Sequence, residues 1–113
     1  MSAVQTPRKI LITNALPYAN GDLHLGHMVG FLQADIWARF QKLRGHHVTF
    51  VGGDDQHGTP IMLSAEQQGL AAQELIDQTE AQHLAALDGF LIGLDNYTST
   101  HAPENQQICM IFT

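Results

Sequence analysis

Patterned hydrophobicity begins at Ile10. The residues before it, Met1 to Pro7, are small or polar and without periodicity. Arg8-Lys9-Ile10-Leu11-Ile12-Thr13 then reads as a short buried strand led in by basic residues. Asn14 to Asp22 carries Pro17, Asn20 and Gly21, a cluster that breaks regular structure and predicts a loop. Beyond it Val29, Leu32, Ile36, Phe40 and Leu43 recur at three- and four-residue steps, the period of one helix face. The expected helix spans about His27 to Arg44 and stops at Gly45. His47 to Gly52 is β-branched and aromatic and reads as a second buried strand. Two strands joined by a helical crossover pair in parallel, which predicts an α/β, doubly wound parallel sheet of the Rossmann-like kind.

The pattern continues less regularly. Gly53 to Thr59 is expected to be a loop, with Pro60 opening a helix to about Gln68 and Gly69 ending it. A further helix from about Ala71 carries Leu75, Ile76, Leu84, Leu87 and Leu91, and yields near Gly93 to a loop through Thr100. Ile108 to Thr113 is strongly apolar and has no polar cap, so the chain is expected to be truncated there. Residues 1–113 are expected to form one incomplete nucleotide-binding domain.

Composition narrows the function classes. With 44% hydrophobic and 14% charged residues, the chain has ample material for a core and no disordered composition. Acidic residues outnumber Lys and Arg by 11 to 5, for a net charge of -6, the wrong sign for tight nucleic-acid binding. Cys109 is the only cysteine, so neither a disulfide nor a Cys-based zinc site can form within the chain. No apolar run reaches membrane length, and a cytoplasmic setting is expected.

The candidate chemistry lies at the loop ends. His24-Leu25-Gly26-His27 falls where the first loop meets the first helix, at the sheet edge where such folds bind ligands. A helix N-terminus offers unpaired N–H groups and a positive dipole end, and Gly26 permits close approach of a ligand to the backbone. That outline suits a phosphate. The second strand leads into Asp54-Asp55-Gln56-His57-Gly58 at the same edge, where one carboxylate can neutralise an ammonium while its neighbour holds the turn. Alternation leaves open which of Asp54 and Asp55 does which. Leu16 and Tyr18, flanking Pro17, either pack on the sheet or wall an apolar slot.

The run Asn14-Ala15-Leu16-Pro17-Tyr18-Ala19-Asn20-Gly21 followed by His24-Leu25-Gly26-His27 resembles the opening of methionyl-tRNA synthetases, a family of class I aminoacyl-tRNA synthetases. Gln33-Ala34-Asp35, Trp37-Ala38-Arg39-Phe40, Arg44-Gly45-His46, Asp54 to Ile61 and Asp95-Asn96-Tyr97 to Thr100-His101 extend the likeness in order, over roughly Lys9 to Asn105. His-x-Gly-His is shared across class I synthetases; the Ala-Leu-Pro-Tyr-Ala-Asn-Gly segment is more particular to the methionine enzyme. The resemblance implies ATP-dependent formation of methionyl-adenylate, with magnesium accompanying ATP, and transfer of methionine to tRNA(Met). It implies catalytic roles for His24 and His27 on the ATP phosphates, an ATP-side lining of Ala15, Asn20 and Gly26, and a methionine site of Leu16, Tyr18 and Asp55. No metal ligand is implied within the chain.

Several parts of that family have no counterpart in these residues: the Lys-Met-Ser-Lys-Ser loop, the zinc-bearing insertion and the helical anticodon-binding domain. The chain alone is therefore expected to be inactive and to bind little tRNA. Two rival readings differ in chemistry. A small nucleotidyltransferase would use the same His pair on a nucleotide but lack the Leu-Pro-Tyr segment. A non-enzymatic module would hold a metal through His24, His27 and Asp55 or His57.

Overall fold

The computed structural model describes residues 6–112. In chain order the elements are β1 (Lys9–Thr13), α1 (Leu25–Leu43), β2 (His47–Asp54), α2 (Thr59–Gln68), α3 (Ala72–Gly89), β3 (Asn96–Ser99) and α4 (Pro103–Ile111). The three strands lie in the order β1-β2-β3, and both pairings are parallel. The expected β1-α1-β2 unit is thus present, in the register Lys9↔His47 to Thr13↔Val51. α2 starts with Pro60 in its first turn and ends at Gly69, as the sequence predicts.

One face of α1 packs on the sheet. Met28, Phe31 and Ala38 join Ile12, Phe50, Leu87 and Ile92 in the main core. Burial of a side chain such as Phe31 or Phe50 stabilises by about 1.5–3 kcal/mol. A second cluster, of Ala19, Ile61, Ala65, Leu75 and Ile76, fastens the β1–α1 loop to α2 and α3. That cluster fixes the loop on which the candidate site depends.

Several expectations need correction. The stripe Val29, Ile36, Phe40 and Leu43 does lie along α1, yet these side chains are exposed, Leu43 by 88%. The packed face instead carries Met28, Phe31, Asp35, Ala38 and Gln41. Asp35 tolerates burial because its Oδ1 accepts from the Gly93 amide at 2.9 Å and its Oδ2 from Arg39 Nε at 2.6 Å. Arg39 also donates to the Leu91 carbonyl at 2.5 Å, so α1 is tied to the turn before β3. Leu91 itself lies past the end of α3, exposed and at φ 58°, and Leu84 is exposed too. β1 is not buried throughout: it stands at an edge of the described sheet, with Leu11 exposed and Ile12 inside.

The strands also extend further than the pattern indicates. β2 runs on through Gly52, Gly53 and Asp54, where a loop is expected, and Asn96–Ser99 forms β3 inside the expected 93–100 loop. A Cβ added to Gly53 would stand 2.5 Å from the Thr98 carbonyl oxygen, so only glycine permits β3 to lie this close. Asp95 secures the start of β3, since its amide donates to the Phe50 carbonyl at 2.8 Å and its Oδ2 accepts from the Phe50 amide at 2.7 Å. Ile108 to Ile111 belong to α4, whose apolar side chains are exposed.

Candidate active site

All strands run the same way, so the loops after β1, β2 and β3 emerge at one edge of the sheet. The first loop closes directly on the second. Asp55 N donates to the Pro17 carbonyl at 2.8 Å and Ala19 N to the Asp55 carbonyl at 2.9 Å, an isolated parallel bridge that sets Tyr18 beside Asp55. Tyr18 is half-buried against the second core cluster. Its hydroxyl lies over Gly58, where a Cβ would be 2.6 Å away. Tyr18 therefore both packs and borders the edge, whereas Leu16 and Ala15 stay exposed. Asn20 is exposed in the turn that follows, its amide bonded to the Tyr18 carbonyl at 2.9 Å.

His24 is the N-cap residue of α1, in an extended conformation, and its carbonyl accepts from His27 N at 3.0 Å and Met28 N at 3.2 Å. The His24 and His27 rings stack at 3.7 Å between centroids. The His24 ring lies over Gly26, where a Cβ would stand 2.9 Å from the ring and push it aside. The amide of His24 donates to His27 Nδ1 at 3.3 Å. An accepting Nδ1 puts the His27 proton on Nε2, where it is a hydrogen-bond donor. Partial burial first, then the neighbouring His24 and His83, lowers the His27 pKa below its ordinary 6.5. At neutral pH His27 is a neutral donor at the positive end of a helix.

The two aspartates differ sharply. Asp54 is fully buried; its Oδ1 accepts from Tyr97 OH at 2.5 Å and lies 2.7 Å from His83 Nδ1. Asp55 is half-buried, and its Oδ1 accepts from Thr100 Oγ1 at 3.3 Å and, weakly, from the His57 amide at 3.4 Å. Asp54 is built into the fold, and Asp55 keeps an accessible carboxylate at the edge.

Four neighbours were not among the residues singled out as site candidates. Thr100 accepts from the Gln56 amide at 2.9 Å, joining the loops after β2 and β3. His101 Nδ1 meets His57 Nε2 at 3.1 Å. Tyr97 and His83 hold Asp54. Tyr97, Thr100 and His101 lie in a recognised stretch of sequence, but His83 sits in a polar helix and reads as surface. Among the described residues no group of three or more His, Cys, Asp or Glu is arranged to hold a metal ion. No described helix is long and apolar enough to cross a membrane.

A parallel sheet whose first crossover helix starts at His-x-Gly-His is the layout of class I aminoacyl-tRNA synthetases. Residues 10–113 match the family described as tRNA synthetases class I (M), and the chain belongs to that family. It is 59% identical over 100 residues to a methionine–tRNA ligase of Neisseria meningitidis serogroup B, covering 88% of this chain and 15% of that protein. A methionine–tRNA ligase of Cupriavidus metallidurans is 53% identical over 104 residues, covering 92% of this chain and 15% of the relative. The chain thus spans about 15% of the length of the curated relatives it matches. Its fold is that of Mycobacterium tuberculosis methionyl-tRNA synthetase in complex with methionyl-adenylate, at TM-score 0.85 and 24% identity over 90% of this chain and 20% of that one. An Agrobacterium radiobacter LeuRS in a ternary complex with tRNA shares the fold at TM-score 0.81 and 24% identity, over 88% of this chain and 13% of that one.

Proposed function

We propose that this chain supplies the first part of the catalytic nucleotide-binding domain of a methionine–tRNA ligase, which joins methionine to ATP as methionyl-adenylate and then charges tRNA(Met). The observation that carries the reading is the stacked His24–His27 pair at the start of α1, on the same sheet edge as the Tyr18–Asp55 bridge. Relatives at more than half identity carry the ligase name.

In this reaction a methionine carboxylate oxygen attacks the α-phosphorus of ATP, brought in as its magnesium salt. The new O–P bond forms as the bond to the bridging oxygen breaks, and pyrophosphate leaves with that electron pair. The attacking carboxylate is already ionised at neutral pH, so no general base is needed. What the chain must do is align the reactants and stabilise the charge that grows on the phosphoryl oxygens. His27 Nε2–H, His24 and the free amides of the first turn of α1 are the donors suited to that task. Gly26 leaves the His24 ring its place over the first turn, and Ala15 and Asn20 serve the ATP side of the proposed site. Asp55 receives the α-ammonium of methionine, with Leu16 and Tyr18 beside its thioether chain.

The test is methionine-dependent ATP–pyrophosphate exchange by a ligase of the relatives' length carrying this chain. Exchange that follows methionine and collapses in His24 and His27 variants supports the reading. Exchange driven equally by an unrelated amino acid, or adenylyl transfer to a small phosphorylated acceptor, favours the nucleotidyltransferase class instead.

A further inference from the structure

His83 is the most deeply placed ionisable ring among the described residues, 1% exposed, on the inner face of α3. Both of its nitrogens are engaged. Nε2 lies 2.7 Å from the Gly21 carbonyl and Nδ1 lies 2.7 Å from Asp54 Oδ1. A carbonyl only accepts, so Nε2 carries a proton. Asp54 Oδ1 already accepts from the Tyr97 hydroxyl, and Asp54 Oδ2 is buried with no hydrogen-bond partner among the described residues. A neutral pair would put the proton on Asp54 Oδ1 with His83 Nδ1 as its acceptor, but that oxygen already accepts from the Tyr97 hydroxyl, and a carboxyl is ordinarily a stronger acid than an imidazolium, so the proton resides on His83. An ionised Asp54 needs both a second donor and a compensating charge, and a doubly protonated His83 supplies the two together.

The two groups that His83 holds belong to the two loops of the candidate site. Gly21 lies in the β1–α1 loop, three residues before His24, and Asp54 directly precedes Asp55 at the end of β2. We propose that His83 is a positioning residue of this site: held as an imidazolium between the Asp54 carboxylate and the Gly21 carbonyl, it clamps the first loop to the end of β2 and so sets the His24–His27 pair relative to Asp55. The proposal rests on the ligase reading above. His83 touches no reacting atom.

The surroundings support this charge state. Asp54 from β2 and Asp22 from the β1–α1 loop act on the ring, Tyr97 from β3 is linked to it through Asp54, and Glu80, on α3 itself, acts on Tyr97. Burial alone would lower the pKa of His83, but the bonds to Asp54 and Gly21 and the charges of Asp54 and Asp22 outweigh it and raise the pKa above 6.5. Burial, with the Asp54 bond and charge, drives Tyr97 far above its ordinary range, so it stays a donor. His27, on α1, has its pKa lowered in part by the charge of His83.

The prediction is a coupled loss of site geometry when His83 gives up its proton. In a ligase of the relatives' length, labelled with ¹⁵N at histidine, the His83 ring should remain doubly protonated above pH 7, and the His27 ring signals should move as His83 titrates. The alkaline limb of kcat for methionine-dependent exchange should follow the same transition. His83→Gln should lower kcat at least tenfold and abolish that limb, and the double variant Asp54→Asn with His83→Gln, an uncharged amide pair, should recover part of kcat. A neutral His83 at pH 7, or a kcat profile that ignores its titration, overturns the proposal. So does a variant that is merely less heat-stable, with unchanged kcat and pH profile. Should His83→Gln fail to fold, the wild-type comparison of ring titration with kcat still decides. Absence of any methionine-dependent exchange would instead defeat the ligase reading, while the ring signals would still report whether His83 holds both protons and whether His27 senses them.

Discussion

Tyr18 is joined to Asp55 by a bridge of two backbone hydrogen bonds, 2.8 and 2.9 Å long, so the first loop and the end of β2 form one surface. The bridge uses main-chain groups only, and the Asp55 carboxylate remains available at the edge. In the ligase, Asp55→Ala should therefore raise KM for methionine while leaving the fold intact. A charge-assisted hydrogen bond is worth about 1.5–3 kcal/mol, or roughly ten- to a hundredfold in KM. Exchange kinetics at varied methionine check it. A larger KM effect from a folded Asp54→Ala would exchange the two roles.

Asp54→Ala is expected to act on stability. It leaves the buried, protonated His83 without its counter-charge, and breaking such a pair costs about 3–5 kcal/mol. Chemical denaturation should show the loss, whereas Asp55→Ala should unfold close to the wild-type midpoint.

Replacing His24 or His27 by a neutral residue should slow adenylate formation more than it weakens methionine binding. Donors that meet charge formed in the transition state act on kcat, and the loss of one is worth on the order of a hundredfold. Single-turnover formation of the adenylate is the direct measurement. Unchanged rates in both variants would remove the pair from the mechanism.

Gly53→Ala should destabilise the sheet by about 1–3 kcal/mol, because the added methyl meets the fixed carbonyl of Thr98 rather than a side chain that can turn away. Thermal unfolding reads the effect. A neutral outcome would mean that β3 can shift along β2 without loss.

Stability of this region should peak near pH 6.5. His46, lowered by burial and then by Arg8, Arg44 and His47, and His27 both bind fewer protons when folded, so stability falls as pH drops from 6.5 through their folded values. His83 binds more protons when folded, so its contribution is complete below 6.5 and is lost as pH rises through its raised value. Hydrogen exchange of β2 amides, corrected for the intrinsic rate, measures both limbs. His83→Gln should flatten the alkaline one.

The 113 residues expressed alone should give neither methionine-dependent exchange nor tRNA charging at a rate comparable with the longer ligase. Five Lys and Arg against eleven acids leave few cations for a triphosphate or for tRNA. The exposed apolar face of α1 also favours aggregation of the isolated chain. Parallel assays of both proteins decide it, and robust exchange from the short chain would refute the argument from charge.

β1, β2 and the helices α1 to α3 were legible from apolar period and from the glycines and proline that bound them. β3 was not, because Asn96-Tyr97-Thr98-Ser99 offers a single large apolar side chain and becomes a strand by pairing with β2. α4 carried readable start signals in Pro103 and Glu104. The buried face of α1 escaped the pattern because Asp35 and Gln41 interrupt it, the former accepted inside through hydrogen bonds that no periodicity reports. In the proposed site, His24, His27 and Asp55 stand out through motif and resemblance. His83 acquires its meaning only across a separation of 62 residues from Gly21 and 29 from Asp54.

Parallel pairing also governs when the chain can fold during synthesis. β1 has no partner until the segment that begins near His46, met by Arg8 across 38 residues, has been made. At translation speeds of about 5–20 residues per second, that is a wait of roughly 2–8 s. β2 then waits again for β3, since Phe50 and Asp95 are 45 residues apart. The nascent sheet thus presents an open strand edge for seconds at a time, long compared with the microseconds of hairpin or helix formation. A chaperone that holds the emerging chain until β3 appears would raise the yield of folded chain, and slower translation ahead of β2 would lower it.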